Sequence, residues 1–375
     1  MKFIVEPTEL VDAVNWVARS LSSRPIKAEL LGIMIDVDTS ITLTGSDLET
    51  STKAILKAEI SAKGKVLVPG RLLAEIARAL PNKPITFTLD GSRVLVTAGT
   101  AKFTLPTLSV NEYPTLPELP ETAGVIPSDV FAHAVNQVAI AAGKDDSLPT
   151  LTGVHIEIHQ NKITLAATDR YRLAVRELNW QAKNSEMEIN TLVRARTLAD
   201  AAKSLTAHSQ VTLALSPINS NERLIGFLSE LKTMTSRTLD GTFPPFKHLL
   251  PTESVAEATI EVAPFLDSVR RVALVTDKTV PLRLIFADNS LQLEAGAGEE
   301  AQATEELAII YSGEPINIAF NPQYLTDGLQ AIGTPFVQIN FTGASKPAVL
   351  SGKHELTGTR DISYQYLLMP MRYSA

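Results

Sequence analysis

Several stretches carry side chains of the kinds that do chemistry. In HIEIH, His155, Glu157 and His159 are metal-ligand types, and on a helix two histidines four residues apart would face one ion. The stretch instead alternates with Val154, Ile156 and Ile158, a period of two that predicts a strand. At ~3.3 Å per residue the imidazoles then stand about 13 Å apart, too far to share a metal. SELK, Ser229 to Lys232, matches the S-x-x-K pattern of acylating serines, but neither S-D-N nor K-T-G accompanies it. Gly296 and Gly298 lack the third glycine of a dinucleotide loop, and there is no P-loop or G-x-S-x-G. The acidic pairs Glu299-Glu300 and Glu305-Glu306 read as a solvated or interface surface rather than as Mg²⁺ ligands. No catalytic residue, metal site or cofactor is expected.

Two further stretches point to contact rather than catalysis. ATDRYRLAV, residues 167 to 175, places Arg170, Tyr171 and Arg172 at the turn out of a strong strand, a composition enriched at protein contact surfaces. The chain ends QYLLMPMRYSA, where frayed polar residues are the rule. Leu367, Leu368, Met369, Pro370 and Met371 must therefore pack as a last core strand, serve as a surface that something else covers, or both.

The elements that would hold these residues recur three times. A strand-like run leads into a helix in FIVEPTELVDAVNWVARSL, GVIPSDVFAHAVNQVAIAA and IEVAPFLDSVRRVALVT, with Pro7, Pro127 and Pro264 before or at the helix start. A second helix recurs as VPGRLLAEIARAL, VRARTLADAAKSL and FNPQYLTDGLQAI, placing Glu75, Asp200 and Asp327 in equivalent positions 125 and 127 residues apart. A solenoid repeats every ~20 to 50 residues, so this longer period means duplicated domains. The fold class is α+β: three repeated domains over 1–121, 122–251 and 252–375, each with two helices among roughly eight antiparallel strands. The boundaries fall in Pro-rich and small-residue stretches.

Composition sets the frame. The chain has 375 residues, 45% hydrophobic and 20% charged, enough for large cores. No apolar run approaches the ~20 residues that span a bilayer, and Glu6 follows MKFIV too soon for a signal peptide. With no cysteine, disulfides and thiolate sites are excluded, and the cytoplasm is the expected location. The net charge of -7 argues against a protein basic all over, but not against a basic face that meets nucleic acid.

The three ~125-residue repeats together with LTGSDLET (43–50), ATDRYRLAV, DGTFPPF (240–246), YSG (311–313) and the terminal MPMR resemble, over the whole chain, the bacterial β sliding clamp family. That resemblance implies three domains of the DNA-clamp type per chain, two chains closing head to tail into a ring, and a function as a processivity factor without catalysis. The ring would encircle duplex DNA independently of sequence and tether the replicative polymerase α subunit, the clamp loader, repair polymerases, and ligase or mismatch-repair proteins through short peptides. The implied peptide cleft comprises Leu151, Thr168, Arg170, Tyr171, Arg172, Leu173, Pro244, His248, Leu249, Met369, Pro370, Met371 and Arg372. Many relatives carry Gly-His where Arg170-Tyr171 stand, and most end soon after the arginine that Tyr373, Ser374 and Ala375 follow here. Arg24, Arg71, Arg78, Arg196 and Lys203, on or beside the repeat helices, are expected to face the DNA. At the dimer contact Phe103 and Leu105 are expected to meet Leu274 of the other copy, with Lys102 near Glu305 and Glu306. The competing reading, an enzyme using the cleft near Met371 for a small substrate, lacks a nucleophile, base or metal set.

Overall fold

The computed structural model describes residues 1–372 apart from 23, 207–208, 218–219, 221, 252, 277–279 and 297–300. Glu299, Glu300 and the final Tyr373 to Ala375 lie outside the described residues. Among the described residues six α-helices mark the three repeats: α1 (Pro7–Ala18), α2 (Gly70–Ala79), α3 (Ser128–Ala139), α4 (Ala195–Leu205), α5 (Val262–Val272) and α6 (Pro322–Ile332). Around them the described residues of each repeat form nine strands, against the roughly eight expected.

Local chemistry explains the helices. α1 begins at Pro7, whose missing N–H costs nothing there, and buries Leu10, Ala13, Val14, Trp16 and Val17. The Trp16 indole donates to the Lys53 carbonyl at 3.0 Å, so the largest side chain of the stripe leaves no polar atom unmet. α6 starts at an Asn321 cap whose side chain accepts from the amides of Gln323 and Tyr324, and stops at Gly333, where φ is 71°.

The chain forms two compact units, one of 1–132, 180–187 and 196–238, the other of 133–179, 188–195 and 239–375. The first holds a five-stranded sheet in the order Ala58–Ala62, Lys2–Val5, Ile85–Asp90, Arg93–Ala98, Ala101–Pro106. Its second sheet has nine strands. Five come from the middle repeat and end at Lys232–Arg237; four come from the first repeat and begin at Thr50–Leu56. The second unit repeats the scheme. Four middle-repeat strands ending at Arg172–Asn179 join five third-repeat strands beginning at Asp361–Leu368, and a separate four-stranded sheet ends at Ala303–Ala308.

Both seams are antiparallel, one running from Lys232↔Ala54 to Ser236↔Thr50, the other from Arg172↔Leu368 to Arg176↔Tyr364. The same turn precedes each. In the first, Asp47 Oδ1 accepts from the amides of Glu49 and Thr50, and Ser46 Oγ accepts from that of Leu48, whose φ is 77°. In the second, Asp169 Oδ1 accepts from Tyr171 and Arg172, and Thr168 Oγ1 from Arg170, whose φ is 79°. Side chains that hydrogen-bond their own turn are what hold a non-glycine residue in this left-handed region.

HIEIH lies in the strand Gly153–His159. His155 stacks on Phe243 at 5.1 Å between ring centroids, whereas His159 pairs with Glu188 at 3.1 Å, so the two imidazoles serve different neighbours. In SELK the Lys232 ammonium is buried against Asp12 at 2.7 Å and lies 5.9 Å from the Trp16 ring centroid.

Leu105, expected at the dimer contact, is 0% exposed and lies opposite Val94 in its own sheet, so within one copy it is a core residue. Just beyond it Leu108 bridges to Leu67, drawing this end of the strand over the neighbouring sheet, while Phe103 stays 37% exposed. Denaturant unfolding should separate the two: Leu105→Ala is expected to cost about 2–5 kcal/mol, as for a core leucine. Phe103→Ala should change stability by under about 1 kcal/mol.

Candidate functional site

A cavity of about 460 Å³ opens in the second unit. Three chain segments wall it: the loop after α3 with Ala142 to Asp145, Leu148 and Leu151; the turn Asp169 to Arg172; and Gln323, Tyr324 and Asp327 on the first turns of α6. The loop is pinned by its backbone, since Gly143 donates to the Leu151 carbonyl at 2.7 Å and Leu151 to that of Leu148 at 2.9 Å.

Arg172 ties the walls together. It is 5% exposed. Its Nε meets Asp169 Oδ2 at 3.0 Å, its Nη1 donates to Asp327 Oδ2 at 2.6 Å and to Tyr366 Oη at 3.4 Å, and its guanidinium lies 4.2 Å from the Tyr324 ring centroid. Burial opposes the charge, but Tyr366, Asp327 and Asp169 outweigh it and hold the arginine pKa above its ordinary value. Tyr366 is pushed up by burial and donates to the Tyr324 carbonyl at 2.9 Å. One guanidinium thus fastens the middle repeat to α6 of the third, with two carboxylates and two aromatic rings satisfied around it.

Next to Arg172 in the chain, Leu173 belongs to an apolar core cluster. Ala166, Leu173, Val175, Leu192, Val349 and Leu367 form one core cluster with Phe243 and Phe246 of the segment between the last two repeats. Leu173, expected to line a cleft, is 2% exposed and sits within this cluster. The two phenylalanines anchor the segment, which leaves Pro244, His248 and Leu249 exposed on it. His155, stacked on Phe243 and edge-on to Phe246, has its pKa lowered by burial, which outweighs the raising effect of Glu157.

The terminal residues divide between two roles. Leu367 and Leu368 complete the strand Asp361–Leu368 and are buried, so the core-strand reading holds as far as residue 368. Beyond it Met369 donates its amide to the Tyr171 carbonyl at 2.9 Å and Met371 to that of Ala319 at 2.8 Å. Met369 is 41% and Tyr171 58% exposed, Pro370 and Met371 are half-buried, and Arg372 is exposed. Of the expected cleft residues, Leu151, Arg170, Tyr171 and Arg172 line the cavity, and Met369 is bound to its rim. Thr168 is half-buried and gives its hydroxyl to the turn, donating to the Arg172 carbonyl at 2.7 Å. Gln323, Tyr324, Asp327 and the loop residues Lys144 and Leu148 were not foreseen. The one available signal was Asp327 at the repeat position shared with Glu75 and Asp200.

The five cations expected to face DNA all belong to the first unit and are exposed. Arg71 and Arg78 on α2 stand seven residues apart, as do Arg196 and Lys203 on α4, so each pair shares one helix face. Arg24 lies in the loop after α1, not on a helix. At the expected dimer surfaces, Lys102 and Phe103 are exposed on the edge strand Ala101–Pro106, and Leu274 is 83% exposed. Glu305 is already engaged: Arg271 Nε and Nη2 reach its two oxygens at 2.6 and 2.8 Å. This hydrogen-bonded pairing lowers the Glu305 carboxyl to about 2, and Glu306 accepts from Ser290 Oγ at 2.6 Å.

Two measurements check this account. Arg172→Met strands Asp169 and Asp327 without their cation and should destabilise the second unit by about 3 kcal/mol in urea melts. Asp327→Asn, which keeps an acceptor and leaves Asp169 in place, should cost only about 1 kcal/mol. For Glu305, a depressed pKa means that the pair's stabilisation is present above the ordinary value of 4.5 and is lost as pH falls through about 2. Carboxyl NMR should place its midpoint near 2, returning toward 4.5 in Arg271→Ala; an unmoved midpoint would disprove the pairing.

Comparison with known proteins follows the same division of the chain. Residues 1–117, 125–245 and 247–372 match the N-terminal, central and C-terminal domains of the DNA polymerase III beta subunit. The chain is 49% identical to the beta sliding clamp of Streptomyces coelicolor over the full length of both, and 40% identical to the beta sliding clamp homolog GriR of Streptomyces muensis, again over both full lengths. Among solved structures, the DNA polymerase sliding clamp of Bacillus subtilis is similar with a TM-score of 0.91 at 25% identity, covering all of both chains. A sliding clamp from Pseudomonas aeruginosa bound to griselimycin is similar with a TM-score of 0.92 at 26% identity, also over both chains. With three matched domains in order and a relative nearly half identical from end to end, the chain belongs to the beta sliding clamp family, the DNA polymerase III beta subunits.

Proposed function

We propose that two copies of the chain close head to tail into a ring that encircles duplex DNA, with three clamp domains per copy over 1–121, 122–251 and 252–375. The observation that carries this is the strand order. Each repeat splits into a five-strand and a four-strand half, and each seam joins the five-strand half of one repeat to the four-strand half of the repeat before it. Two halves are left over, and their free edges Ala101–Pro106 and Ala303–Ala308 are the counterparts of the seam strands. Joining one copy's Ala101–Pro106 to the other's Ala303–Ala308 adds five strands to four, a third nine-stranded sheet, and pairs the two edges that lack a seam partner within the chain. Phe103 would then meet the exposed Leu274 of the second copy. Lys102 would approach Glu306, since Glu305 is held by Arg271.

In this reading Arg71, Arg78, Arg196 and Lys203, with Arg24, contact phosphates without reading bases, which permits sliding. The ring tethers its clients, the polymerase α subunit, clamp loader, repair polymerases, and ligase or mismatch-repair proteins, through short peptides. Their cleft runs from the cavity beside Leu151, Tyr171 and Arg172 past Met369, Pro370, Met371 and Arg372, with Thr168 on its turn and Pro244, His248 and Leu249 on the linker. Methionine suits such a site because its unbranched chain repacks around different clients. That a clamp of this fold holds griselimycin supports a ligand surface in the family. The protein acts as an accessory subunit, not an enzyme, in the cytoplasm; no helix of the described residues is long and apolar enough to cross a membrane.

Topological retention tests the proposal. Protein loaded onto nicked circular DNA by a clamp loader should remain through high-salt gel filtration and be released once the circle is cut. Phe103→Asp, which puts a charge into the closing edge, should abolish retention and yield monomers at nanomolar concentration. Retention that is indifferent to linearisation, or an intact Phe103→Asp dimer, would overturn encirclement by this interface.

A further inference from the structure

Arg170 occupies a conformation that a side chain of its type rarely adopts, at φ 79°, and the Thr168–Asp169 turn pays for it. The first-repeat turn holds Leu48 at φ 77° by the same hydrogen bonds, so the frame accepts unlike residues at this point. The turn therefore does not by itself dictate which residue stands at 170.

The cavity wall carries three carboxylates, Asp145, Asp169 and Asp327, and three cations, Lys144, Arg170 and Arg172, which are unequally engaged. Asp169 and Asp327 are matched to Arg172, Asp169 Oδ1 also accepts two backbone amides, and Asp327 Oδ1 accepts from Gln323 at 2.7 Å. The Asp145 carboxylate accepts from the Ser147 amide at 2.9 Å, and this bonding with Ser147, more than the nearby Arg170 charge, lowers its pKa. Arg170 and Lys144 both line the cavity and are exposed, and neither has an ion-pair partner among the described residues. Asp145 is thus the one carboxylate of the wall without an ion pair among the described residues, set against two cations without one.

We propose that Arg170 is a specificity-determining residue that recognises a carboxylate on the segment entering the cleft. The inference rests on the peptide-cleft reading above. A guanidinium accepts a carboxylate bidentately, which an ammonium cannot, so Arg170 is the reader and Lys144 a supporting charge. The carboxylate comes either from an acidic side chain or from the segment's own C-terminus. Arg172 is buried and its Nε and Nη1 are engaged within the fold, so the exposed Arg170 is the cation that an entering segment meets.

The test uses the full-length protein and synthetic decapeptides of one Leu- and Phe-containing sequence, followed by fluorescence polarisation. One set steps a single Glu through each position with an amidated end, a second carries Gln and a free C-terminal carboxylate, and a third carries Gln and an amide. At low salt one carboxylate peptide should bind roughly fivefold tighter than the neutral one, the preference fading as salt rises. Which set shows it identifies the source of the charge. Arg170→Asn suits the left-handed turn without the charge and should bring that ratio to within about twofold of unity, while Arg170→Lys should retain part of it. Equal affinity for all peptides that bind, or a preference that survives Arg170→Asn, overturns the role of Arg170 alone. Failure of every peptide to bind overturns the cleft reading itself.

Discussion

Unpaired strand edges are the constraint on which this architecture depends. No repeat closes its own sheets: each presents a five-strand and a four-strand half with an open edge, and an open edge exposes a row of unmet amides and carbonyls. Within the chain only the two seams are satisfied by an adjoining repeat, so the compact unit is not the unit of duplication. The compact units cut across the repeats for that reason: the middle repeat contributes five strands to one unit and four to the other.

The two seams show how one frame yields different surfaces. Both begin with an aspartate turn whose third residue has a positive φ, and both send a backbone amide from the opposing strand to the turn, Arg237 to Glu49 and Met369 to Tyr171. At the first seam the residue after the turn is Thr50, whose hydroxyl lies 3.3 Å from Ser236 Oγ. At the second it is Arg172, long enough to reach Asp327 and Tyr366 in the next repeat. A short hydroxyl meets only its neighbour across the seam, whereas a long guanidinium reaches past it into α6 of the next repeat.

Much of this was legible in the residues. Helical spacing from Leu10 to Val17, prolines at helix starts and a ~125-residue period gave the three repeats and their helices, because helix entry and apolar stripes are local signals. Strand alternation placed His155 and His159 in one strand for the same reason. Depth was not legible: Phe103 and Leu105 have the same parity on an edge strand, yet Leu105 is buried because the chain beyond it bridges Leu108 to Leu67. Alternation tells which face a residue takes, not how far along the strand the cover extends. Tyr324 and Gln323 were missed because the turn they face lies some 150 residues earlier in the chain, and no local pattern records that meeting. Leu173 is 2% exposed in the apolar cluster directly after Arg172, a depth that the resemblance does not carry.

The first seam has a further consequence for synthesis. Thr50 pairs with Ser236, 186 residues later, so the strand Thr50–Leu56 emerges from the ribosome long before its partner exists. At ~5–20 residues per second the wait is on the order of 10 to 40 s, far longer than a small domain takes to collapse. During that interval the nascent first repeat exposes a sheet edge whose natural partner is another strand of nearly the same design. On a polysome many such edges emerge side by side, so pairing between neighbouring nascent chains competes with completion of each chain's own sheet.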